Sequence, residues 1–207
     1  MRTHGWTAAA LVLGLAGAAL VLDPPAAGAA PAKGVPAPAA KPPAAPPTGV
    51  HAFEVRTIDG GRKRLADYRG RTLLIVNTAS RCGFTKQYAS LETLYQRYRA
   101  RGFEVLAFPA NDFMNQEPGT DAEIQSFCST EYGTTFPLFS KISVKGGAMA
   151  PLYRHLTRES AFKGDVEWNF TKFLVGPDGK VVACYGPRVD PLSKDVTDRI
   201  EALLGRS

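Results

Sequence analysis

The sequence predicts an α/β domain in which a central mixed sheet is flanked by helices on both faces. Two continuous runs, Leu73 to Val76 within "TLLIVNTAS" and "FEVLAFPA" from Phe103, have the pattern of strands buried on both sides. Around them apolar residues recur at helical spacing, and "KFLVGPDGKVVACYG" reads as two strands about a Pro177-Asp178-Gly179 turn.

Upstream, "HAFEVRTIDGGRKRLADYRG" alternates around Phe53, Val55 and Ile58, and Asp59-Gly60-Gly61 signals a hairpin turn. After the first buried strand, Tyr88, Leu91, Leu94, Tyr95 and Tyr98 fall at spacings of three and four, an amphipathic helix that Gly102 ends. A second helix begins at Asp121, with Ile124, Phe127 and Cys128 on one face and Gly133 as its stop. A short helix follows near Pro151 to Thr157, and a last one carries Ile200, Leu203 and Leu204. The order β-α-β-α-β-β-α behind an N-terminal β-hairpin is the thioredoxin-like arrangement.

This domain spans residues 50–207 of the 207. Residues 1–30 have the parts of an export signal: Arg2 and His4 in a short polar head, an apolar run over 7–22, and an A-x-A site at Ala27-Gly28-Ala29. Retained, the same run is an N-terminal membrane anchor, and no nearby cysteine offers a lipoprotein linkage. Residues 31–49 are Pro/Ala-rich and read as an extended linker; nine of the sixteen prolines precede residue 50. The expected location is outside the cytoplasm, in a bacterial periplasm, since an organelle transit sequence carries more arginine and serine.

The net charge is +6, and removal of residues 1–30 takes one positive and one negative group and leaves it unchanged. Scattered cations such as Arg62, Lys63, Arg64, Arg69 and Arg71 suit loose association with an anionic membrane surface. No interleaved basic and aromatic motif points to nucleic acid. His51 and His155 stand apart from any cysteine pair, so no metal site is expected, and no cofactor motif occurs.

Cys82, Cys128 and Cys184 are three thiols in an exported chain without C-x-x-C. An odd count leaves either one pair and a spare thiol, or cysteines that cycle. Cys82 lies between a buried strand and a helix, where outward-pointing N–H groups favour a thiolate. Arg81 adjoins it, Gly83 lets the backbone pass closely, and Thr85 is placed to cap the helix. Position alone leaves open a small buried hydrophobe instead.

Three segments, "NTASRCGFT", "LAFPANDFMNQEPG" and "WNFTKFLV", together resemble the glutathione peroxidase family in its cysteine-containing form, over about Phe53 to Leu204. The resemblance implies a peroxidase whose peroxidatic cysteine is Cys82, with Gln116, Trp168 and Asn169 around it. The chemistry agrees: a thiolate attacks one peroxide oxygen, and neutral donors can hold S⁻ without opposing it. The substrate is then hydrogen peroxide or an organic or lipid hydroperoxide.

The product sulfenic acid must be reduced before it oxidises further. In the thioredoxin-using branch a second cysteine on the helix after the glutamine motif condenses with it, and Cys128 in "IQSFCSTEYG" falls there. The glutathione-using branch lacks that cysteine, and many members carry a long tetramer-forming insertion where this chain has only "TRESAFKGDVE". A monomer reduced by a thioredoxin-like protein is favoured over one reduced by glutathione. Alternatives are a permanent Cys82–Cys128 disulfide, a peroxide sensor that relays its disulfide to a client, and a binding module without turnover.

Where the family usually reads "FPCNQFG" this chain reads "FPANDFM". Asp112 adds a negative charge that opposes a Cys82 thiolate if it faces the site, and Met114 in place of glycine restricts the loop that presents Gln116. Cys184 matches no family position and is expected to be a buried spectator.

Overall fold

A computed structural model describes residues 48–205. The leader, its cleavage or anchoring, and the linker up to residue 47 lie outside the described residues.

The first elements are a short hairpin, β1 (Glu54–Arg56) and β2 (Arg62–Arg64), closed by the turn read from Asp59-Gly60-Gly61. The main sheet has four strands: β3 (Thr72–Thr78), β4 (Phe103–Pro109), β5 (Lys172–Val175) and β6 (Val181–Tyr185), in the order β4-β3-β5-β6. β3 and β4 are parallel, whereas β5 and β6 are antiparallel to their neighbours, so the sheet is mixed.

Every residue of β3 and β4 is buried, which is why their sequences are nearly continuous apolar runs. One face is covered by α1 (Gln87–Tyr98), α2 (Asp121–Tyr132) and α4 (Lys194–Leu204). Tyr88, Leu91, Leu94, Ile124, Cys128, Val196 and Ile200 pack there on Leu74, Val76, Val105 and Leu174. The other face is covered by the chain around the hairpin and by α3 (Pro151–Arg154), which runs on as a wider π turn over His155–Glu159. Leu65, Tyr68, Leu152, Tyr153 and Leu156 meet Leu73, Ile75, Phe108 and Phe173 on that side. The arrangement is thioredoxin-like, with helices on both faces as predicted.

At its carboxyl end β3 does more than pair. Val76 is opposite Lys172 in the regular register, and one residue later Asn77 takes over. Its carbonyl accepts from the Phe170 amide at 2.6 Å, its amide donates to the Thr171 carbonyl at 3.4 Å, and its side-chain amide donates to the Trp168 carbonyl at 3.1 Å. Phe170 is fully buried at φ 67°, a conformation a bulky side chain adopts only where the surroundings enforce it. Asn77 thereby grips the four residues at which the chain turns into β5. The start of α1 is fixed nearby: buried Lys172 donates to the Gln87 side chain at 2.7 Å and to the Val189 carbonyl at 2.6 Å. Burial lowers the Lys172 pKa to about 8.

Replacing Asn77 by Ala removes the bond to Trp168 and should cost on the order of 1–3 kcal/mol of stability. Denaturant unfolding measures that loss, and hydrogen exchange at the Phe170 amide should accelerate; unchanged exchange would show that the junction is held elsewhere.

Candidate active site

Cys82 lies on the loop that leaves β3, half-buried, with Phe84 beside it against the helical face of the core. Residues Cys82 to Lys86 form successive tight turns, in which the amides of Thr85, Gln87, Tyr88 and Ala89 each bond the carbonyl three residues back. α1 proper begins only at Gln87, with Lys86 at its N-cap and no side-chain cap. Thr85 is therefore not the helix cap that its position suggested. It is buried and ties the Cys82 loop: its hydroxyl oxygen accepts from the Cys82 amide at 3.0 Å and lies within donating distance of the Ala79 and Cys82 carbonyls. The tight turn points the Phe84 amide at Cys82 Sγ, 3.5 Å away, so a backbone N–H meets the sulfur directly.

Gln116 is joined to this loop from the other side. Its carbonyl accepts from the Arg81 amide at 3.0 Å, next to Cys82, and its side-chain oxygen accepts from Asn169 Nδ2 at 3.1 Å. With its oxygen occupied, the Gln116 side chain presents its NH₂ as donor. Asn169 is fully buried, and its own Oδ1 has no hydrogen-bond partner. Trp168 is half-buried, tilted against Phe113 with ring centroids 5.3 Å apart, and held by its carbonyl on Asn77. The structure thus brings Gln116 and Asn169 into contact, links Gln116 to the residue before Cys82, and holds Trp168 at the same end of the sheet.

Cys128 is elsewhere. It is fully buried on α2, and burial pushes its thiol up to about 11, with the Tyr88 hydroxyl pulling the other way and the charge of Glu117 adding to the rise. Cys82, Cys128 and Cys184 are all free thiols in this structure. α2 is well closed at both ends. Thr120 and Glu123 form a reciprocal capping box, and Gly133 at φ 58° turns the chain so that its amide bonds the Cys128 and Ser129 carbonyls. Within α2 only Ile124 and Cys128 are fully buried, with Asp121, Phe127 and Tyr132 half so.

Two further expectations are corrected. Asp112 does not face the cysteine: its carboxylate accepts from Ser143 Oγ and the Val144 amide, both at 2.7 Å, and anchors a neighbouring loop. Cys184 is not a buried spectator but solvent-exposed. On the edge strand β6, Ala183 and Tyr185 point into the core beneath α4. Cys184 points the opposite way and, with Phe173 and the segment around Phe162, borders an open cavity of about 490 Å³. Partial desolvation there raises its pKa. Among the described residues no cluster of side chains could hold a metal ion.

The site also uses residues that carried no motif signal. Asn77 and Thr85 are ordinary strand and turn residues until their long-range bonds are seen. Glu117, within the quoted glutamine motif, is fully buried against Ser80 of the Cys82 loop.

Comparison with known proteins gives one consistent result. Residues 50–157 match the family model described as glutathione peroxidase. A glutathione peroxidase homolog from Halalkalibacterium halodurans is 48% identical over 157 residues, covering 75% of this chain and 99% of that protein. A hydroperoxy fatty acid reductase from Synechocystis is 48% identical over 163 residues, 75% of this chain and 95% of its own. The solved structure of Trgpx in apo form superimposes with a TM-score of 0.62 at 35% identity, over 76% of this chain and 95% of that one.

Met114 shows what the departure from glycine does to the loop. It is 79% exposed and, with Asn115, sits at φ 52°, a left-handed conformation that asparagine tolerates and methionine adopts only at a cost. Because the side chain makes little contact, Met114→Gly should stabilise the protein by about 1 kcal/mol, read from the midpoint of denaturant unfolding. A destabilised variant would mean that the methionine contributes contacts that outweigh the strain.

Proposed function

The chain belongs to the glutathione peroxidase family and is a peroxidase, and we propose that Cys82 is its peroxidatic residue, acting on hydrogen peroxide and on organic or lipid hydroperoxides. The observation that supports this reading is that Gln116 is bonded both to the Arg81 amide, next to Cys82, and to the side chain of Asn169. The Cys82 thiolate attacks the terminal peroxide oxygen, the O–O bond breaks, and the second oxygen leaves with a proton as water or an alcohol. Gln116, Trp168 and Asn169 supply neutral N–H groups that stabilise the thiolate and the departing oxygen. The Phe84 amide adds a fourth donor from the backbone.

Cys82 is left as a sulfenic acid, and Cys128 resolves it by forming a disulfide. A buried thiol pushed up to about 11 does not do this in place; α2 has to open. The helix is suited to it, because few of its side chains are buried, and segments with few buried contacts unfold locally at least cost. A thioredoxin-like protein then reduces the disulfide, and with a resolving cysteine present glutathione is the less suited donor. We further propose that the protein acts as a monomer outside the cytoplasm, loosely associated with membrane if residues 7–22 are retained.

Steady-state peroxide consumption with thioredoxin and its reductase should exceed that with glutathione. Cys82→Ser should abolish consumption, and unchanged activity would sink the assignment. With thioredoxin, Cys128→Ser should complete one turnover and stall; normal cycling would remove Cys128 from the resolving role. If the intact protein turns over with neither reductant although Cys82 reacts with peroxide, it is a relay and not a peroxidase in its cycle.

A further inference from the structure

Between the loop that carries Cys82 and the helix that carries Cys128 lies a cavity of about 220 Å³, lined by Ser80, Arg81, Glu117, Glu123, Ile124 and Phe127 together with Gly119. Glu117 is an unusual member of that lining. Its side chain is fully buried, where a carboxylate is normally paired. One oxygen accepts the Ser80 hydroxyl at 2.6 Å; the other is closed to solvent and has no hydrogen-bond partner.

The nearby cations do not neutralise it by contact. Lys141 Nζ donates to the backbone carbonyls of Glu117 and Gly119, at 3.1 and 2.6 Å, and Arg81 acts only through space. Burial raises the carboxyl above its ordinary value, against the pull of the Ser80 hydroxyl and amide, Lys141 and Arg81. Its charge in turn raises both the Cys128 thiol on α2 and the Tyr88 hydroxyl on α1. Glu123, at the first turn of α2, is the other carboxylate on this cavity and is engaged in the capping box.

Glu117 is also anchored independently of α2. Its amide donates to Asn111 Oδ1 at 2.8 Å, Lys141 fixes its carbonyl, and Ser80 fixes its side chain to the Cys82 loop. The Ser80 and Asn111 bonds both lie outside α2 and hold the carboxyl at the Cys82 loop without it.

Resting on the reading that Cys128 resolves the Cys82 sulfenic acid, we propose that Glu117 is the proton carrier of the resolving step. The Cys128 S–H bond and the Cys82 S–O bond break, while the S–S bond and a new O–H bond form. The Cys128 sulfur is oxidised to the disulfide level and the Cys82 sulfur is reduced to it. Glu117 takes the thiol proton and delivers a proton to the hydroxyl that leaves Cys82 as water, so the carboxylate is regenerated and no further reactant is consumed. The need is for a base beside the Cys82 loop, because a thiol released from the core is still mostly protonated at neutral pH and the thiolate is the attacking species.

The test separates the two chemical steps in single turnover. Reduced protein is mixed with one equivalent of hydrogen peroxide and quenched by acid and alkylation, and mass spectrometry follows sulfenic acid and the Cys82–Cys128 disulfide across a pH series. Wild type, Glu117→Gln and Glu117→Asp are compared. Disulfide formation, taken relative to sulfenic acid formation in the same protein, should be about a hundredfold slower in Glu117→Gln. The wild-type rate should rise with pH as the carboxyl ionises, an inflection that Glu117→Gln loses and Glu117→Asp keeps at a lower rate. Condensation of Glu117→Gln at the wild-type rate with the wild-type pH profile overturns the proposal. Should that variant fold poorly, a wild-type rate that rises only with the thiol's own titration overturns it equally. Wild-type protein that forms sulfenic acid but never the Cys82–Cys128 disulfide refutes the resolving role itself, and the proton-carrier role with it.

Discussion

Strand β3 is buried on both faces from Thr72 to Thr78, and near its end Asn77 continues with a side chain the pairing that the strand otherwise makes with its backbone. The site depends on this junction. The regular register with β5 reaches only Val76 opposite Lys172, and beyond it the two chains diverge. Asn77 allows the divergence without loss of order: three hydrogen bonds, to Trp168, Phe170 and Thr171, hold the segment while Phe170 adopts its left-handed turn. Trp168 and Asn169 are thereby delivered from the rigid centre of the fold, and Gln116 is set against Asn169. If they act as the proposed donors, groups held in this way need no reorganisation when charge moves between sulfur and oxygen.

The two cysteines assigned to the cycle have opposite environments. Cys82 is half-buried on a chain of tight turns with an amide aimed at its sulfur; Cys128 is sealed beneath Tyr88 on a helix with both ends capped. A thiol that waits in the core is protected from peroxide and from the wrong partner, and its burial keeps it protonated. On the proposed cycle the arrangement couples chemistry to motion, because the second thiol would react only after α2 loosens. Capping at Thr120 and Gly133 opposes that opening, whereas the sparse burial of the helix between them favours it.

Much of this was legible in the sequence. The continuous runs of β3 and β4, the spacing of Tyr88, Leu91 and Leu94, and the Gly102 and Gly133 stops place the elements, because they are local signals with local causes. Three spaced segments together point to Cys82, Gln116, Trp168 and Asn169. What escaped was set by long-range geometry. Thr85 looks like a cap, but the turns before α1 put the helix start at Gln87 and left its hydroxyl for the Cys82 loop. Asp112 follows two residues after Ala110 in a motif that faces the site, yet its carboxylate is drawn off to Ser143 and Val144. Cys184 reads as buried from its apolar neighbours, but on an edge strand alternate residues face opposite sides, and its side is open. Glu117 lies in a quoted motif and gave no signal of its own, since burial and an unpaired oxygen are visible only in three dimensions.

The most direct test is to identify which sulfurs join. Reduced protein exposed to one equivalent of hydrogen peroxide, alkylated and digested without reductant, should yield a single new linked peptide pair containing Cys82 and Cys128, with Cys184 alkylated. A linked pair that contains Cys184, or a fully alkylated Cys82 after peroxide has been consumed, would contradict the account.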